Sequence, residues 1–270
     1  MRLVVAELTL EAMAAVLARY ENGCHEREVH RKNTLAYLVS LNKKAVKEFK
    51  QRQRGLAPSK TDLWKQLIKY KVKNTSGVTG PLVRKAMRMF LEKEQGGLCC
   101  YCRRPLVNIA HAKPIEHILP RVDFVQYTFH FWNLAVACFD CNQIKTDHNW
   151  AHVSKHGVEL YPNPASFAEM YHPRFHPYAE HVRFIRIQTN DHMISIYIGT
   201  TDQGRHLCLN LLKKLSAREI MVNSNPELRD SLNVINAHAA ANEGDMPPAL
   251  EAFYDALGKS TSRLVNDGIG

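Results

Sequence analysis

The sequence predicts an α+β protein in three parts: a basic, mainly helical N-terminal region, a cysteine-rich middle with short strands, and a C-terminal region of one β-hairpin followed by helices. Three observations lead there. Apolar residues recur at helical spacing through much of the first 95 positions. Residues from about 96 to 150 are dense in Cys, His and Asn and hold short apolar runs instead of long periodic ones. Two β-prone runs, 182–188 and 193–199, flank the turn residues Thr189, Asn190 and Asp191. The expected boundaries are 1–80, 81–155 and 156–270, and no internal repeat is visible.

In the first region, Leu35, Leu38, Leu41 and Val46 recur at near-helical intervals. Thr61 is placed to cap a helix carrying Leu63, Trp64, Leu67 and Ile68. The stretch NTSGVTGP (74–81) reads as a loop, and a helix over about 82–95 leads to Gly96-Gly97. After the middle region comes a Pro- and His-rich connector, 161–181, then the hairpin. GRHLCLNLLKKL and the Ala-rich stretches 236–242 and 248–257 read as helices.

Composition narrows the function classes. A chain of 270 residues with 45% apolar content is ordinary for a globular protein. Its apolar stretches are too short for the ~20 residues of a spanning helix, so no membrane role is expected. The start, MRLVVAELTLEAMA, makes a poor export signal, and a cytosolic location is expected. The formal charge is +10, and the window 41–74 carries eleven cations against two acids, a surplus of nine. That block, with Lys43, Lys44, Lys47, Lys50, Arg52 and Arg54 at its start, suits a polyanion such as nucleic acid.

Seven cysteines, an odd number, argue against a disulfide framework. Cys24 and Cys208 stand alone and read as core residues. Cys99 with Cys102, and Cys138 with Cys141, form two CxxC pairs. Each pair lets two thiolates converge on one ion, and two pairs supply the four sulfurs that tetrahedral zinc accepts. Such a closed shell is structural. Cys100 is an alternative ligand in a shifted register, with the poorer Cys100–Cys102 spacing.

The 35 residues between the pairs exceed the ~15–20 of a simple two-knuckle module. They include Glu116-His117-Ile118-Leu119-Pro120-Arg121 and Asn133-Leu134, and the second pair is followed by Asn142-x-x-Lys145. In this order the residues resemble the HNH endonucleases of the His-Me finger (ββα-metal) group. The resemblance covers about 96–150. It implies a zinc-stapled ββα module in which His117 is the general base, Asn133 orients that base, and Glu116 and Asn142 hold a catalytic cation. A carboxylate and an amide oxygen suit Mg²⁺ or Mn²⁺. Lys145 and Arg121 would meet phosphate. Asp147 and His148 read as solvated helix-end residues, and His172, His176, His181 and His192 as packing of the connector.

A looser similarity, over 161–220, is to defence-associated HNH proteins of the Septu-type and retron-linked kind. It implies an anti-phage setting with an ABC-type ATPase partner. The expected activity is hydrolysis of phosphodiester bonds, most of all in DNA, with low sequence specificity. The rival reading is a non-catalytic zinc module that binds nucleic acid or a protein. Zinc folding would not require Glu116, His117 and Asn142.

Overall fold

A computed structural model describes residues 9–59, 61–70, 77–106, 113–151, 159–188 and 193–224, with isolated positions 227, 230, 234, 252 and 256 beyond them. Four helices open the chain: α1 (Leu10–Gly23), α2 (Arg31–Gln53), α3 (Leu63–Ile68) and α4 (Gly80–Glu94). Two short strands follow, β1 (Ile115–His117) and β2 (Leu134–Val136), and then α5 (Phe139–Lys145). The last part holds α6 (Tyr178–His181), the strands β3 (Val182–Gln188) and β4 (Met193–Gly199), then α7 (Asp202–Leu207) and α8 (Lys213–Asn223). A π-helical segment, Cys208–Leu212, joins the last two helices.

Both sheets are two-stranded and antiparallel. β1 pairs with β2 so that Glu116 faces Ala135 and His117 faces Leu134. β3 pairs with β4 as the expected hairpin, with Val182 opposite Gly199 and Gln188 opposite Met193. The expected turn lies at 189–191, outside the described residues, as do the Ala-rich 236–242, nearly all of 248–257, and the cations Lys60, Lys71 and Lys73.

Two details of the first region differ from expectation. The cap of α3 is Asp62, not Thr61: its carboxylate accepts from the Trp64 and Lys65 amides at 2.9 and 3.1 Å. α4 begins at Gly80 with Pro81 in its first turn, so the end of the expected loop is helical. Gly80 sits so close to α3 that a Cβ there would lie 1.6 Å from the Leu67 carbonyl oxygen. A residue read as a loop marker is therefore a close-packing residue.

One buried cluster runs through all three regions. It joins Tyr20, Leu41, Phe49 and Leu67 to Leu106, Ile118 and Leu134, and these to Phe167, Leu207 and Leu211. The hairpin packs by one face only. Arg183, Ile185, Ile187, Ile194, Ile196 and Ile198 share its other face and are exposed. No helix among the described residues is long and apolar enough to cross a membrane.

Candidate metal centre and active-site cavity

The two CxxC pairs come together. The sulfurs of Cys99, Cys102, Cys138 and Cys141 all lie within 4.8 Å of one another, and all four residues are buried. The Cys102–Cys138 sulfur separation is 3.7 Å. A tetrahedron with ~2.3 Å metal–sulfur bonds has edges of about 3.8 Å, so the group could hold a metal such as zinc. Local folding builds it. Cys99 and Cys102 sit in the turn after α4, tied to β2 by the Cys100 amide donating to the Val136 carbonyl. Cys138 is the N-cap residue of α5, its amide donating to the Cys99 sulfur at 3.2 Å, and Cys141 lies within that helix. Cys100 is buried but is not in the cluster.

Arg104, which sequence reasoning passed over, leans on this centre. Its guanidinium donates to the Cys102 and Cys138 sulfurs at 3.4 and 3.6 Å, to Asp140 at 2.8 Å and to Glu219 of α8 at 3.2 Å. Four thiolates around a divalent ion carry net negative charge, and a nearly buried guanidinium offsets it. A cation two residues beyond the second cysteine was the available signal.

Beside the cluster lies a cavity of about 250 Å³, lined by Trp64, Pro114 to His117, Pro120, Arg121, Asn142, Thr146 and Asp147. Glu116, His117 and Asn142 thus share one space, although consecutive residues of a regular strand point to opposite faces. Cys141 and Asn142 are neighbours on α5, so the helix that closes the sulfur cluster also delivers the amide to the cavity.

Glu116 is 4% exposed. Its Oε1 meets the Lys145 ammonium at 2.6 Å and accepts from the Tyr101 hydroxyl at 3.3 Å. Burial raises its pKa, and the ammonium beside it opposes that rise. Lys145 departs from the expected phosphate-facing role. It is fully buried, and its ammonium also donates to the His117 carbonyl at 3.1 Å. An uncompensated buried ammonium is costly, and the carboxylate across from it makes this position tolerable.

His117 has one hydrogen-bond partner of clear meaning. Its Nε2 lies 3.0 Å from the carbonyl oxygen of Thr128. A carbonyl only accepts, so Nε2 carries the hydrogen and donates. Burial, helped by the positive charge of Arg121, pulls the His117 pKa down to about 3. The ring is therefore neutral near pH 7, and its remaining nitrogen, Nδ1, is an unprotonated acceptor. Trp64 of α3 holds the ring edge-on, centroids 4.7 Å apart. Asp62 of the same helix grips Arg121 at 2.5 Å. Burial resists ionisation of Asp62, but Arg121 and the two capped amides keep its pKa below the usual carboxylate value. Trp64, Asp62, Tyr101 and Thr128 were not anticipated, because each acts through a contact distant in sequence.

Asn133 makes no hydrogen bond to the His117 ring, contrary to its expected role. Its side chain is fully buried and closes the loop between β1 and β2. The amide oxygen accepts from the Leu119 amide at 2.8 Å, and the amide nitrogen donates to the carbonyls of Leu119 at 3.0 Å and Tyr127 at 3.1 Å. Asn133 thus fixes the loop that presents Thr128.

The basic face stands apart from the cavity lining. Lys43, Lys44, Lys47 and Lys50 on α2 and Arg54 just after it are exposed. Lys44 reaches Gln66 of α3 at 3.4 Å and Lys50 reaches Glu159 at 2.8 Å. Arg52 is spent on structure, with Glu48 at 2.5 Å and the Val122 carbonyl at 2.7 Å. Asp147 and His148 are exposed, Asp147 at the cavity rim.

No protein-family model matches this chain, and neither a curated protein nor a solved structure matches it.

Proposed function

We propose that this protein is a metal-dependent HNH endonuclease that hydrolyses phosphodiester bonds of nucleic acid, with DNA favoured. One observation carries the reading: a neutral imidazole, held by Nε2 and with Nδ1 left to accept, shares a cavity with the Glu116 carboxylate and the Asn142 amide. The order β1, β2, α5 beside a four-sulfur cluster agrees with the ββα module that the sequence resembles. Zinc is the fitting ion for the sulfurs, as a closed structural site.

Each residue then has a chemical task. His117 Nδ1 takes a proton from a water molecule as the oxygen attacks phosphorus and the phosphate ester bond to the leaving oxygen breaks. Thr128 and Trp64 hold the ring in place. Glu116 contributes Oε2, since Oε1 is engaged by Lys145 and Tyr101, and Asn142 contributes its amide oxygen. A hard cation such as Mg²⁺ or Mn²⁺ bound by these oxygens would offset charge developing on the phosphate and the leaving group. Arg121 at the rim adds positive charge where a phosphate enters. The exposed lysines of α2 add sequence-independent backbone affinity, so binding falls steeply with salt. An anti-phage setting with an ATPase partner rests on the resemblance of residues 161–220 alone.

The test is cleavage of plasmid, single-stranded DNA and RNA by the purified protein with Mg²⁺ or Mn²⁺. His117→Ala should lose about 10²- to 10⁴-fold in rate while keeping its zinc and its fold. Equal cleavage by that variant would remove the nuclease assignment and favour the non-catalytic zinc module.

A further inference from the structure

The Pro- and His-rich connector is not idle packing. Tyr161 and His172 belong to it, and neither lines the cavity. Their hydrogen bonds nonetheless run toward it in one direction. The Arg174 amide donates to His172 Nδ1 at 3.3 Å, so the hydrogen of this imidazole sits on Nε2. His172 Nε2 lies 2.8 Å from the Tyr161 hydroxyl and donates to it. Tyr161 donates in turn to Asn133 Oδ1 at 3.2 Å. The Asn133 amide then spans Leu119 and Tyr127, and the residue after Tyr127 offers the carbonyl that holds His117.

Every group in this chain is neutral by environment. Burial holds the His172 pKa well below its ordinary value and the Tyr161 pKa well above. Both side chains are clasped by rings: His172 stacks on Phe175 at 4.0 Å and Tyr161 on His130 at 4.4 Å. A fully satisfied polar chain of this kind, buried at His172 and Asn133 and partly so at Tyr161, specifies one arrangement of the loop it ends on.

We infer that Tyr161 and His172 are positioning residues for His117: they set the loop that carries the Thr128 carbonyl, and so fix the tautomer and place of the base. The inference rests on the nuclease reading for its consequence in rate, but its physical content concerns only the imidazole. The experiment uses the full chain as Tyr161→Phe, His172→Leu and His172→Gln. Zinc content and melting temperature identify variants that fail to fold.

Tyr161→Phe, which keeps the ring and its stacking, should lower kcat about tenfold with KM changed by no more than about twofold. His172→Leu should behave alike, and His172→Gln, whose amide can still donate to Tyr161, should recover most of the loss. A structural role alone would not be rescued in this way. The second readout is hydrogen exchange of the His117 imidazole N–H, followed by NMR with labelled histidine and assigned with His117→Ala. It should be slow in the wild type and about tenfold faster in Tyr161→Phe. Wild-type kcat in a folded Tyr161→Phe, or unaltered exchange of that N–H, overturns the inference. A wild-type protein that cuts nothing removes the nuclease reading instead, and the exchange measurement still decides whether the connector positions His117.

Discussion

The sulfur cluster and the cavity beside it share a helix but solve opposite problems. Four buried cysteines converge on one point, with Arg104 covering the sulfurs from outside. The cavity brings the Glu116 carboxylate, the His117 imidazole and the Asn142 amide to a space of about 250 Å³, with Asp147 at its rim. One centre is closed, so an ion held by its four sulfurs would have nowhere to accept a substrate. The other leaves room for one. α5 couples them, since Cys141 and Asn142 are consecutive. The proposed division puts stability in the first centre and chemistry in the second, and α5 ties the geometry of the second to the first.

The sharpest way to break this division is to remove the sulfur cluster. Cys138→Ser, or exhaustive chelation, should unfold the middle region, because a structural zinc held by these sulfurs would contribute on the order of 10 kcal/mol to folding. Circular dichroism and zinc stoichiometry check it. His117→Ala should leave both signals intact. If the cysteine variant kept its fold and its melting temperature, the cluster would not be the staple described here.

Much of the first centre was legible in the sequence, and less of the second. CxxC spacing is a local rule, and it pointed to Cys99 over Cys100 as the cluster shows. The hairpin was legible for the same reason, alternation and turn residues being short-range signals. The partners of His117 were not legible. Trp64 comes from a helix 53 positions earlier, and the Thr128 carbonyl is a backbone group that no residue identity reveals. Lys145 misled because a lysine at a helix end belongs by default in water. Only the carboxylate of Glu116, brought opposite by the β1–β2 pairing, changes that default.

The buried pair offers a second, smaller break. Lys145→Met keeps the volume and removes the charge, leaving Glu116 buried and unpaired. Loss of one partner from such a pair costs about 3–5 kcal/mol, relieved in part when the carboxyl takes up a proton. Denaturant unfolding should show this loss, and Glu116→Gln with Lys145→Met should recover most of it. On the proposed nuclease reading the double variant should nonetheless cut no nucleic acid, because the carboxylate charge that would hold the cation is gone. If the single and double variants were equally unstable, Lys145 would matter to packing and not to the charge of Glu116.

Acid separates the regions with a smaller and graded effect. Burial lowers the pKa of His130 and of His176 to about 4 in each case, against an ordinary value near 6.5. A histidine whose pKa is depressed on folding is neutral in the native state while the unfolded chain takes up a proton. The unfolded state therefore gains as pH falls through about 6.5, and native stability drops until the folded groups also protonate near 4. A shift of this size is worth at most about 3 kcal/mol over that window, and His130 and His176, both partly accessible, each contribute less. Melting temperature should be flat above pH 7 and should decline between pH 6.5 and about 4. Bound zinc must be assayed at each step, since acid also protonates thiolates. In a His130→Phe variant, which keeps a ring to stack on Tyr161, the decline should be shallower while zinc release follows the same course. Identical slopes in the two proteins would leave the burial of His130 without a part in the acid sensitivity.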